Sequence, residues 1–173
     1  MTMLNALTVS IGVLAAVAVY LVLGPLGGQI QIWAAFIAWG SFYHCGGKFA
    51  GLRNTVTGSL FGMVVGWITL FVIVAVPLGG TLGVPLWAAI VVGVFVAVLV
   101  AAARVPAFSV IPTGVYGFAS VVAYTLLAGH LSQAGLTGGG LANPAISVGL
   151  GLVVGAVFGY VSELVAGKLA AAA

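Results

Sequence analysis

The sequence is almost free of charge, and this feature most limits what the chain can fold into. Its 173 residues include four Lys or Arg and one Asp or Glu, so that charged residues make up 3%. A soluble domain carries about 25% charged residues, because a surface that faces water must stay hydrated. Since 64% of the residues are hydrophobic, lipid must be the main solvent. We predict an all-α integral membrane protein.

Six apolar runs, separated by Gly, Pro or charged residues, predict about six short transmembrane helices. A span needs about 20 residues to cross a hydrocarbon core of about 30 Å. The chain therefore has room for six short spans but for no separate soluble domain, and we expect a single membrane domain over residues 1–173. The predicted segments are 6–23, 30–43, 54–76, 86–103, 110–127 and 144–167, and the longest predicted loop is 130–143.

The positions of the four cations favour six crossings. If all six segments cross, Lys48, Arg53, Arg104 and Lys168 lie in loops or at the C-terminus on one side. The positive-inside rule makes that side cytoplasmic and places both termini there. If the second and fifth segments were re-entrant half-helices, Lys168 would lie opposite the other three cations. We favour the arrangement that puts all four on one side.

The two halves of the sequence share an order of segments. In each half a long span precedes a shorter one with polar and aromatic residues, and a Gly-rich span follows. Three crossings per half would give residues 1–80 and 81–173 opposite orientations, the inverted repeat that is common in transport proteins. The match between the two halves in sequence is poor, so the repeat is predicted from the order of segments alone.

The third and sixth segments each carry small residues at four-residue spacing, which we call a glycine ladder. A ladder puts small residues on one helix face and lets another backbone come close. Helix packing within or between protomers is the first interpretation, and a narrow path kept open is the second. The ladder residues are Gly58, Gly62 and Gly66 in the third segment and Gly151, Gly155 and Gly159 in the sixth.

Candidate pore-lining residues lie in the second and fifth segments. Rings recur along one side of the second segment, and a charge-free, ring-lined constriction suits a small uncharged solute. Interfacial anchoring explains some of these rings. In the fifth segment Pro112 and Gly114 could expose backbone groups to a water-filled cavity, or could only kink a packing helix. The candidates are Trp33, Phe36, Trp39, Tyr43, His44, Thr113, Tyr116 and Ser120.

Glu163 is the one acidic residue of the chain and lies four residues beyond Gly159. An ionisable group inside a span is a functional candidate by default, whereas one near the interface can simply be hydrated or paired with a cation. One acid and two His residues are too few for paired-carboxylate or metal-assisted catalysis. We therefore expect no enzyme activity, no metal site and no cofactor. Residue counts leave a Ser–His dyad open as a third alternative, an intramembrane enzyme, but no motif locates one. Four scattered cations also form no nucleic-acid surface.

The stretches 33–36 and 46–52 resemble the small bacterial inner-membrane proteins known as domain of unknown function 1097. The resemblance continues through residues 111–114, 149–152 and 159–160. It implies a bacterial inner-membrane location and assigns no catalytic or binding residue. Residues 113–118 are also similar to a Gly-aromatic-Gly stretch that lines the pore of urea channels.

These observations predict a homo-oligomeric channel or facilitator for a small, uncharged, urea-like solute. Its expected partners are the lipid bilayer, further copies of the chain and the solute, but no nucleic acid. The alternative is a non-transporting membrane partner or assembly subunit that docks other helices through the glycine ladders.

Overall fold

The structure is a computed structural model that describes residues 1–172, and these residues are all-helical. Each of the six predicted segments overlaps one helix, so the all-α prediction is confirmed. Two further α-helices, α4 and α7, are short. The α-helices are α1 (Met3–Leu23), α2 (Ile32–His44), α3 (Lys48–Ala75), α4 (Gly79–Leu82), α5 (Val84–Ala101), α6 (Ile111–Leu127), α7 (Gln133–Thr137) and α8 (Pro144–Ala171).

Helix length and hydropathy make the chain a multi-pass membrane protein. In the described residues four helices are long and apolar enough to cross a membrane, namely α1, α3, α8 and α5 with its extension to Arg104. Helix α6 is a shorter apolar helix of 17 residues. Helix α2 has 13 residues and spans about 20 Å at 1.5 Å per residue, less than a hydrocarbon core of about 30 Å. Large apolar side chains are exposed along α1 and α5, as contact with lipid requires.

The corner between α2 and α3 corrects one sequence prediction. Lys48 and Arg53 were expected in a loop, but α3 begins at Lys48 and includes both residues. Gly46, Gly47 and Lys48 have φ angles of 83°, 68° and 58°. This left-handed conformation suits Gly, which has no Cβ to clash. Three consecutive residues with left-handed φ angles form a tight turn, so α3 begins immediately and includes Lys48 and Arg53.

The stretch 130–143 is more ordered than a loop, contrary to the sequence prediction. It contains α7 and a short 3-10 helix, Gly140–Ala142. The side-chain amide of Asn143 donates to the carbonyl oxygens of Leu136 at 2.9 Å and Gly138 at 2.8 Å. Its oxygen accepts from the N–H of Ala145 at 2.9 Å and so caps the first turn of α8. One side chain thereby holds the segment to α8.

The described chain divides into two compact units. Unit 1 contains Met1–Val56 and residues 150–172, and unit 2 contains Thr57–Gly149. The boundaries fall within α3 and α8, so the units do not coincide with the sequence halves 1–80 and 81–173. Helix α2 belongs to unit 1 and helix α6 to unit 2.

Candidate functional site

In unit 1 the glycine ladder of α8 packs against α2. A Cβ atom added to any of the three ladder residues would lie within 3 Å of an atom of α2 or of its N-cap residue, so a larger side chain has no room there. Successive glycines meet successive positions of α2, and the two helices are therefore parallel. The contacts join Gly151 to Gln31, Gly155 to Ala35 and Gly159 to Phe42.

In unit 2 the glycine ladder of α3 packs against α6 in the same way and also in parallel. Here α6 contributes glycines of its own. A Cβ atom on Gly62 would overlap the backbone of Gly114, and one on Gly117 would overlap the carbonyl of Ser59. Backbone therefore meets backbone over much of this crossing. The ladder contacts join Gly58 to Thr113, Gly62 to Gly114, and Gly66 to Phe118 and Val121.

Ser162, one turn beyond the last ladder glycine of α8, joins three helices of unit 1. Its hydroxyl donates to the carbonyl of Gly159 at 2.7 Å. Because it has one proton, it accepts from the indole of Trp39 at 3.0 Å and from the hydroxyl of Tyr43 at 2.7 Å. Its backbone carbonyl accepts from Ser10 of α1 at 2.7 Å. Trp39 and Tyr43 thus have their polar groups paired with α8.

Glu163 acts as a cap for another helix. Its Oε2 atom accepts from the backbone N–H of Lys48, the first residue of α3, at 2.6 Å. A Cβ atom on Gly47 would overlap its other oxygen. Helix N-termini have unpaired N–H groups and the positive end of the macrodipole, so a carboxylate is stabilised there. The one acidic side chain of the protein therefore ties α8 to the α2–α3 corner.

The other candidates in α2 lie partly towards the outside of unit 1. Phe36 is 42% exposed and stacks on Trp39, which is 4% exposed, with ring centres 5.9 Å apart. The indole of Trp33 donates to the side chain of Gln31 at 3.3 Å. His44 is exposed at the last residue of α2. The structure thus brings Trp39 and Tyr43 together on Ser162, with Phe36 stacked on the outside of Trp39.

The candidates in α6 include two buried hydroxyls, on Thr113 and Ser120, while Tyr116 is half-buried. The hydroxyl of Thr113 donates to the carbonyl of Val110, just before α6, at 2.7 Å. The hydroxyls of Thr69 in α3 and Thr125 in α6 each donate at 2.7 Å to a carbonyl one turn earlier in the same helix. Ser59 and Ser120 differ, because their buried oxygens have no hydrogen-bond partner in the described chain. An unpaired buried hydroxyl costs about 1–3 kcal/mol.

The buried polar side chains of residues 1–172 are uncharged. They are hydroxyls with one amide, and they occur in both units. No group of three or more His, Cys, Asp or Glu side chains in these residues could hold a metal ion. The buried polar residues are Ser10, Ser41, Thr55, Ser59, Thr69, Thr113, Ser120, Thr125, Asn143, Ser147 and Ser162.

Sequence reasoning missed Ser162 and Ser59. Ser162 follows Gly159 by three residues and so continues the ladder face of α8, which is a signal the sequence does contain. Ser59 adjoins Gly58 but gives no comparable signal, because small hydroxyl residues are common at helix interfaces in membranes.

Comparison with known proteins gives a family and no activity. Residues 8–167 match the family described as protein of unknown function (DUF1097), and the chain belongs to that family. No curated protein and no solved structure matches the chain. The similarity of residues 113–118 to urea channels therefore has no support.

Proposed function

We propose that this member of the DUF1097 family is a channel or facilitator for small uncharged solutes. The observation that carries the proposal is the charge-free polar interior, in which hydroxyls and one amide are the buried polar groups of the described chain. A neutral solute needs hydrogen-bond partners along its path, whereas an ion needs charged or strongly dipolar groups that replace its hydration shell. A urea-like solute, which both donates and accepts hydrogen bonds, fits this interior.

We further propose six crossings arranged as a three-plus-three inverted repeat. Support comes from the two ladders. Helix α3, which ends the first half, packs on α6 of the second half, and α8, which ends the second half, packs on α2 of the first. In transporters with inverted repeats, short or interrupted helices form the solute site near the middle of the membrane. Helices α2 and α6 are the short ones here.

The proposed setting is a bacterial inner membrane, with both termini on the cytoplasmic side that the cations favour. A homo-oligomer belongs to the proposal because six helices, two of them short, leave little room for a wide pore in one protomer. Docking of foreign helices through the ladders is less favoured, because α2 and α6 of the same chain already cover them.

The test is stopped-flow light scattering on proteoliposomes that are challenged in turn with urea, glycerol, ammonia and water. We expect at least one of these neutral solutes to equilibrate faster than in protein-free vesicles, while potassium flux stays at the protein-free level. Gly12→Ala is a control variant that should keep the wild-type rates, because a Cβ atom there meets nothing within 4 Å. Rates equal to those of protein-free vesicles for every solute would reject the channel.

A further inference from the structure

Two serines at the α3–α6 crossing of unit 2 break the hydrogen-bonding pattern of their own helices. Ser59 is 0% exposed and Ser120 is 1% exposed, and neither hydroxyl has a partner. A serine inside a helix can donate to a carbonyl three or four residues earlier. The threonines at positions 69, 113 and 125 of the same two helices each donate to a nearby carbonyl. The two serines leave this local partner unused.

Both serines lie in the pair of helices that cross in unit 2. The carbonyl of Ser59 is where a Cβ atom of Gly117 would be, so the backbone of Ser59 lies directly against α6 at that level. Ser120 follows Gly117 by three residues and is therefore on the same side of α6, one turn along. Each of the two helices that cross at Gly62 and Gly114 thus carries one buried, unpaired hydroxyl.

We infer that Ser59 and Ser120 form the hydrogen-bonding site for the solute, an inference that rests on the proposed function. Alanine would fit the same space as serine and would leave no hydroxyl unpaired, so packing alone does not explain a serine at either position. The hydroxyls gain partners when the crossing opens to admit a solute. Local rules of folding are broken mostly where function requires it.

The chemistry of the pair defines the class of solute. A hydroxyl both donates and accepts, and the buried polar residues of the described chain carry no charge. The site therefore takes a small neutral molecule with donors and acceptors of its own, such as an amide or a polyol. Unit 1 offers no such pair at its crossing, because Ser41 bonds to Thr55 at 3.4 Å and Ser162 is fully occupied.

The experiment compares the full-length wild type with Ser59→Ala, Ser120→Ala and the double variant in proteoliposomes. We expect the double variant to fold as stably as the wild type, because it loses no hydrogen bond. We expect its solute rate to fall about tenfold, which corresponds to about 1.4 kcal/mol, and each single variant to be intermediate. The matched control is Thr8→Val, which removes an exposed hydroxyl that is satisfied within α1 and should leave the rate unchanged.

Each other outcome overturns the inference. If the double variant kept the wild-type rate, the two serines would not be part of the solute site, although the proposed channel would stand. A double variant less stable than the wild type would show that the hydroxyls are structural, and an equal loss of rate in Thr8→Val would show that the effect is not specific. A wild-type rate no higher than in protein-free vesicles would overturn both the site and the channel.

Discussion

The α2–α8 crossing of unit 1 and the α3–α6 crossing of unit 2 solve the same packing problem with different hydrogen bonding. Both use three glycines at four-residue spacing, and both hold a short helix parallel to a long one. In unit 1 the hydroxyl of Ser162 is saturated by Trp39, Tyr43 and its own helix. In unit 2 the hydroxyls of Ser59 and Ser120 have no partner.

This difference separates two properties that a glycine ladder is often taken to supply together. The ladder sets how closely two backbones approach, because lipid gives little hydrophobic drive and close packing must replace it. The polar residues beside the ladder decide whether the interface is closed by hydrogen bonds. By this criterion the crossing of unit 1 is closed by hydrogen bonds, whereas two hydroxyls in the helices of the unit 2 crossing are left unpaired.

The largest loss of stability is expected when a side chain prevents the close approach of the two helices at a crossing. Gly62→Ala would drive a Cβ atom into the backbone of Gly114, and Gly155→Ala would do the same at Ala35. Backbone cannot rotate away, so we expect each change to lower the free energy of unfolding by about 3 kcal/mol, the upper end for overpacked sites. Titration with SDS in mixed micelles measures this loss.

The control for that pair is Gly93→Ala, at a helix position where a Cβ atom meets nothing within 4 Å. It should leave stability unchanged or slightly raised, since Ala is the better helix former. If Gly62→Ala proved as stable as Gly93→Ala, the close approach in unit 2 would be refuted. A loss at Gly155 alone would mean that the two crossings differ in packing as well as in hydrogen bonding.

A smaller effect is expected from removing the hydrogen bonds of unit 1. Ser162→Ala leaves the donors of Trp39 and Tyr43 without their acceptor, and we expect a loss of about 2 kcal/mol. A double-mutant cycle with Tyr43→Phe should give a coupling energy of about 1 kcal/mol, measured from the same SDS titrations. Additive losses would show that the 2.7 Å contact contributes nothing to stability.

The smallest effect concerns the cap on α3. Glu163→Gln keeps an acceptor near the N–H of Lys48 but removes the charge, so we expect a loss of about 0.5 kcal/mol. High salt should reduce this loss, because salt screens the interaction of the charge with the helix dipole. Lys168→Gln, which removes a charge from the last turn of the same helix, is the comparison. A loss that does not change with salt would argue against the dipole as its cause.

Hydropathy predicted all six main helices, because apolar runs bounded by Gly and Pro leave few alternatives in lipid. It misplaced the start of α3, since Lys48 and Arg53 look like loop residues when the turn at Gly46 and Gly47 is unknown. The spacing of Gly62 predicted a close approach but not its partner, because a glycine shows that a neighbour comes near without showing which one. The pairing of Trp39 with Ser162, which lie 123 positions apart, depends on tertiary structure and leaves no local pattern.

The joining of α2 to α8 has a consequence for the order in which the protein is made. Helices α3 to α7 lie between α2 and α8 in the chain, so the α2–α8 crossing can form only after all of those helices have been synthesised. The α3–α6 crossing needs no such delay, since both of its helices are complete before α8 is synthesised.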